Sequence, residues 1–415
     1  MDLNGLRQRL KGRNAQNLTR NFSALAILQG LRYVIPLLVL PYVTPIIGLE
    51  HFGEIAISAS LILVAQVFVN YSFSFMGARD IARNRDDSGK VSEIVSKTIV
   101  AYILIYILVA IVVAGVVFVV PKFRSISTLI AIHMTIPILS ALVCEWFFQG
   151  MEQMQNITIA NTLSRVIFVV LVFCFIKRKG DYLLFPLFEA VGHMFAACYS
   201  IFLMVRRYKC RIRIPSLRVV ADYLAQGKDI FLNQSCIVLL NRMPNMLLGN
   251  FAGSASAGLF HAAFRLQEAA CNGVDTLNRT FFPFLARRMD KYGTYRRINL
   301  IFASGAFAVL FIFAPFLIRL LYAADFAPAV RLLRILAFSI LFLGISSAYG
   351  VNRLLLIGQE RLVRNITFAV SGGGLVLLLV MIHFYAETGA AIAMVVVNAA
   401  MALSYFVASK RLGLE

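Results

Sequence analysis

Long apolar runs, separated by short basic or polar joints, recur from residue 21 to residue 409 of this 415-residue chain. A bilayer core about 30 Å thick needs about 20 apolar residues per crossing helix. Twelve runs meet that need: 21–47, 53–77, 95–120, 126–149, 156–176, 182–205, 229–250, 255–284, 298–322, 331–356, 364–385 and 388–409. The pattern predicts an all-α integral membrane protein of twelve transmembrane helices. Composition agrees: 60% of residues are hydrophobic, 14% are charged, and the mean hydropathy is +0.79. A soluble domain is nearer half apolar and a quarter charged.

Two internal echoes divide the chain. Ala82-Arg83-Asn84-Arg85-Asp86-Asp87-Ser88-Gly89 and Ala286-Arg287-Arg288-Met289-Asp290-Lys291-Tyr292-Gly293 share the form A-R-x-x-D-x-x-G at an offset of 204. Gly53 and Gly258 precede them by 29 and 28 residues. Gly150-Met151-Glu152 and Asn156-Ile157-Thr158 are echoed by Gly358-Gln359-Glu360 and Asn365-Ile366-Thr367. Six spans per half is an even number, so both halves insert the same way round. The expected architecture is two parallel-repeat six-helix lobes around a central cavity. A cytoplasmic tail (1–20) leads to an N-lobe (21–205), a cytoplasmic connector (206–228), a C-lobe (229–409) and a cytoplasmic C-terminus (410–415).

A formal charge of +20 would suggest nucleic acid as partner in a soluble protein. Its distribution points elsewhere. With both termini in the cytoplasm, inner segments hold 26 of the 40 lysines and arginines and outer loops hold 5. The charge is a topology signal, strengthened by anionic lipid on the inner leaflet; no nucleic-acid partner is expected. The first 20 residues are polar and lack the apolar core of a signal peptide. The six cysteines show no metal or CxxC spacing and read as packing residues.

Nine basic residues lie within spans or at their ends. A charged side chain at the bilayer centre costs about 2.5–3.5 kcal/mol on insertion scales, so it needs a partner or a wet cavity. His261, Arg265, Glu268, Asn272, Asp275 and Arg279 recur at steps of 4, 3, 4, 3 and 4 in the eighth span. That spacing places them on one helical stripe. The seventh span adds Asn241, Arg242 and Asn245 around Pro244; the first adds Gln29 and Arg32. Arginine's planar fork suits phosphate oxygens. Arg265–Glu268 and Asp275–Arg279 are also spaced to neutralise each other within the helix.

The chain resembles Wzx-type polysaccharide flippases of the multidrug/oligosaccharidyl-lipid/polysaccharide exporter superfamily. The resemblance is carried by Asn21 to Gly53 with Gln29, Pro36, Pro41-Tyr42 and Gly48-x3-Phe52-Gly53, and by Gly77-Ala78-Arg79-Asp80-Ile81-Ala82-Arg83. Trp146-Phe147-Phe148-Gln149-Gly150-Met151-Glu152 with Arg165, and Phe281-Phe282-Pro283 before Ala286-Arg287, extend it. It implies a monomeric transporter, not an enzyme, in the bacterial inner membrane. Its substrate would be an undecaprenyl-diphosphate-linked oligosaccharide bound for O-antigen or capsule assembly, with a polysaccharide polymerase among its partners. No cofactor is implied beyond a coupling ion, proton or sodium. Arg32, Arg242 and Arg265 would grip the pyrophosphate, with Gln29, Asn241, Asn245, His261 and Asn272 beside them. Glu268, Asp275 and Arg279 would bind the coupling ion or hold the arginines. Arg79, Asp80, Arg83 and Arg287 would lie in gating loops. Two rivals stand: a multidrug exporter of the same superfamily, which would favour acidic or aromatic lining, and a membrane-embedded polysaccharide-assembly enzyme. No DxD sequence supports the latter.

Overall fold

The computed structural model describes residues 38–412, apart from 212 and 288. Among these residues every regular element is helical. Eight helical stretches are long and apolar enough to cross a membrane, Leu38–Asn84 and Arg361–Arg411 being the longest at 47 and 51 residues. Each of these two is broken inside by backbone of positive φ. Gly48 (φ 77°) and Tyr71 (φ 46°) interrupt the first, and Ala386 (φ 46°) interrupts the second. The breaks at Gly48 and Ala386 fall between runs that the sequence separates.

The helices are α1 (residues 38–70), α2 (Phe73–Asn84), α3 (Ser88–Val119), α4 (Pro121–Ser125), α5 (Ser127–Leu142) and α6 (Glu145–Gly150). They continue as α7 (Met154–Phe175), α8 (Leu184–Arg206), α9 (Leu217–Phe251), α10 (Gly253–Arg287), α11 (Tyr292–Leu321), α12 (Ala329–Ser346) and α13 (Glu360–Arg411). A π-helical segment, Ser347–Leu355, prolongs α12. The chain forms two compact units. One comprises the residues through Val43 with Leu61–Val238; the other comprises Thr44–Ser60 with the residues from Leu239 onward.

In the first unit, two of the sequence motifs pack directly on each other. Gly77 on α2 lies under the Trp146 ring of α6, where a Cβ would come within 2.6 Å of the indole. Gly150 sits equally tightly against Ile81 and the Ala78 carbonyl. Only glycine admits that approach. Around it lies a buried cluster of Phe73, Tyr102, Trp146, Phe147, Phe148 and Tyr223. Asp87, in the repeated motif, caps α3 by accepting from the backbone N–H groups of Gly89 (3.0 Å) and Lys90 (3.1 Å). That satisfies donors left open at a helix start. Arg85 of the same motif pairs with Glu152 at 3.0 Å.

The joint before α9 is extended and held to the N-terminal end of α3. Backbone N–H groups of Arg211 and Arg213 donate to Ser92 Oγ (3.1 Å) and Ser96 Oγ (2.9 Å). From Leu217 the chain is helical without interruption to Phe251, through Pro244.

In the second unit, α1 beyond Gly48 crosses α10 at very close range. A Cβ on Gly53 would lie 1.8 Å from the Ser254 carbonyl oxygen, and one on Gly258 would lie 2.8 Å from the Leu49 carbonyl oxygen. The two glycines that mark equivalent points of the internal repeat therefore meet. Through this contact residues 44–60 pack within the second unit.

Candidate substrate-binding site

The stripe read from the sequence is a physical face of α10. His261, Arg265, Glu268, Asn272 and Asp275 are each half-buried, whereas Ala262, Ala263, Phe264, Leu266 and Gln267 between them are buried. A helix this long and this polar along one side cannot present that side to lipid tails. Gln29 and Arg32 lie outside the described residues, as do the side chains of Asn241, Arg279 and Arg287.

Charge is settled across helices rather than along one. Arg242 of α9 donates from Nη2 to Glu268 Oε1 of α10 at 2.8 Å, with side-chain exposures of 20% and 31%. The guanidinium also lies over the Phe264 ring, 6.0 Å from its centroid. Glu268 therefore serves Arg242, 26 residues away in sequence. Arg265 has no carboxylate within ion-pair distance among the described residues, and its buried Nε has no hydrogen-bond partner. Burying an arginine donor without a partner is costly.

A turn away, the Asn245 amide lies 3.1 Å from His261 Nδ1, the donor being set by the imidazole tautomer. Asn245 is fully buried, and its Oδ1 is unpartnered. His261 in turn packs against Phe52, ring centroids 5.7 Å apart. Phe52 also touches Tyr322 and Phe326. The Gly53–Gly258 crossing thus abuts one end of the polar face.

Arg79, Asp80 and Arg83, expected in a gating loop, lie on α2. Arg79 pairs with its neighbour Asp80 at 3.0 Å, exposed, and Arg83 is exposed on the same helix. Gln66 of α1 donates to Ser140 Oγ at 3.0 Å inside the first unit.

Two further polar groups lie away from the α10 face. In the first unit Asn161 of α7 donates to Glu145 Oε1 at 2.7 Å. Gly192 of α8 presses on the Ser164 carbonyl, where a Cβ would sit at 2.4 Å. This crossing brings Arg165 of α7 near His193, which is spaced i,i+4 from Glu189 on α8. In the second unit Tyr295 donates to Asn278 Oδ1 (2.7 Å) and accepts from Asn352 of the π-helical segment. Asn278, Asn299 and Asn352, at exposed fractions of at most 5%, are asparagines buried in apolar spans, and that was their only sequence signal.

The fold is that of membrane transporters. A multidrug resistance MATE family transporter of the MOP superfamily, in an inward-facing conformation, aligns at TM-score 0.70 over 94% of this chain and 98% of its own, with 14% identity. Lipid II flippase MurJ, in an inward closed conformation, aligns at TM-score 0.74 over 93% of this chain and 87% of its own, with 12% identity. In sequence, a protein of Escherichia coli (strain K12) named "Putative O-antigen transporter" is 25% identical over 388 residues, covering 91% of this chain and 93% of the relative. A Shigella dysenteriae protein of the same name is 24% identical over 270 residues, covering 65% and 68%. Residues 18–289 match the polysaccharide biosynthesis protein family, and the chain belongs to that family. It is a multi-pass membrane protein whose relatives are named as transporters, not enzymes, as its sequence led us to expect.

Proposed function

We propose that this protein is a flippase for lipid-linked oligosaccharide, moving repeat units on undecaprenyl diphosphate from the cytoplasmic to the periplasmic leaflet of a bacterial inner membrane. Both termini face the cytoplasm, and twelve helices in two six-helix lobes exchange access to a central cleft. The observation that carries the reading is the unpaired Arg265 in the middle of the α10 polar face. A hydrated sugar on a diphosphate cannot cross hydrocarbon unaided, and a guanidinium can bind the diphosphate while the polyprenyl tail stays in lipid. The names of the curated relatives support an O-antigen precursor as the cargo.

Arg242 is the second cation of the site, and Glu268 tunes it. Substrate phosphate competes with Glu268 for Arg242, and a proton or sodium ion then neutralises the released carboxylate. Asp275, on the same face, is the other carboxylate assigned to coupling. A multidrug exporter for organic cations fits less well, because Arg265 places on this face a guanidinium with no carboxylate at ion-pair distance among the described residues. The test is a deletion strain: lipid-linked repeat units should accumulate on the inner leaflet and clear on complementation. Drug sensitivity without such accumulation would replace this reading with the exporter.

A further inference from the structure

The outer end of the α11–α12 hairpin carries three arginines that topology does not explain. α11 starts beside Lys291, Arg296 and Arg297. By the positive-inside rule that end is cytoplasmic, so the turn between Tyr322 and Pro328 faces the other side. Arg319, Arg331 and Arg334 flank that turn, and Asp325 is the one carboxylate between residues 311 and 338. All three arginines are exposed, and among the described residues none has a carboxylate within ion-pair distance. Cations here run against the charge bias of membrane insertion, and Arg331 also sits unfavourably in the first turn of α12.

Below them lies a crevice of about 420 Å³, walled by Phe311, Val330, Ile335 and Phe338, with Arg331 and Arg334 at its rim. Arg334 lies over the Phe311 ring at 5.6 Å and reaches the Phe311 carbonyl through Nε at 3.4 Å. Among the described residues its terminal nitrogens have no hydrogen-bond partner. A second hollow, lined by Pro315, Phe316, Arg319 and Leu320, continues along α11. Ile312, Phe313 and Phe316 are more than half exposed on this helix, which marks its lipid side.

An apolar slot under a cationic rim complements an amphiphile with an anionic phosphate above acyl chains. We infer that this groove holds an anionic phospholipid of the outer leaflet, its phosphodiester on Arg331 and Arg334 and an acyl chain between Phe311 and Phe338. Arg319 extends the rim toward a second acyl chain or glycerol.

Native mass spectrometry of the full-length protein, purified from membranes and exchanged into phosphatidylglycerol or phosphatidylcholine micelles, tests this. The wild type should retain phosphatidylglycerol in clear preference to phosphatidylcholine. Arg331→Gln with Arg334→Gln should lower that retention by about five-fold per arginine. Arg331→Lys with Arg334→Lys keeps the charge but loses the planar fork, so it should fall between the two; this variant carries the test if the glutamine pair does not fold. Equal retention of the two lipids by the wild type, or retention by the substituted proteins equal to wild type, overturns the assignment. So does displacement of the lipid by millimolar inorganic phosphate, which would make this a general anion site.

Discussion

Placing a methyl group on Gly53 tests the helix crossing that closes one end of the polar face. The added carbon would sit 1.8 Å from the Ser254 carbonyl oxygen, 2.6 Å from its carbon and 3.1 Å from the Gly258 nitrogen. All three neighbours are backbone atoms of α10, so none can rotate aside. Reaching ordinary contact near ~3.5 Å requires the helices to part by about 1.7 Å. Overpacking of this kind costs about 1–3 kcal/mol. Gly305 on α11, with nothing within 4 Å of its would-be Cβ, is the control. Gly305→Ala should be neutral or slightly stabilising, by up to ~1 kcal/mol, through helix propensity alone. Circular-dichroism melting of both variants in one detergent at one scan rate gives the comparison, with export in a complemented deletion strain as the functional readout. Gly53→Ala should melt below wild type and Gly305→Ala should not. A Gly53→Ala protein that melts and exports like wild type would refute the close approach.

Other perturbations follow from the same geometry. Arg242→Ala and Glu268→Ala should each destabilise by roughly 1–3 kcal/mol, between the values for exposed and fully buried pairs, while the double variant should cost less than their sum; additive losses in melting would deny the pair. Glu152 holds φ 58° at a helix end, a conformation that costs a non-glycine residue about 1–2 kcal/mol. Its ion pair with Arg85 is exposed and worth at most about 1 kcal/mol, so Glu152→Gly should raise the melting temperature. Burial pushes the Cys210 thiol, in the joint before α9, up to about 11. In a variant retaining only this cysteine, the reactive thiolate is on the order of one part in a thousand at pH 8, and maleimide labelling should climb about ten-fold per pH unit through pH 9. A plateau below pH 9 would contradict its burial.

The polar stripe of α10 was legible because a 3.6-residue period needs no partner to be seen, and Gly53 and Gly258 announced themselves through the repeat. The Arg242–Glu268 pair was not, because local spacing offered Glu268 to Arg265 on the same helix and said nothing of a residue on α9. Breaks inside apolar runs were equally silent. Tyr71 (φ 46°) and Cys144 (φ 52°) adopt left-sided backbone where no glycine or proline flags it. The second sequence echo also hides a shift. Gly150 aligns with Gly358 by letter, yet the positive-φ residue ending the helix is Glu152 in one half and Gly358 in the other. Both ends are closed by the same i→i−5 bond, from Gln153 to Phe148 and from Gln359 to Leu354. Backbone geometry was kept there while the residues changed.

Flipping of a fluorescent undecaprenyl-diphosphate-linked sugar across proteoliposomes, wild type beside Arg265→Ala, measures the role assigned to the lone guanidinium. Transport by the wild type and background rates from an equally well folded Arg265→Ala protein are the predicted result. A variant that flips the lipid at the wild-type rate would mean that the diphosphate is bound elsewhere.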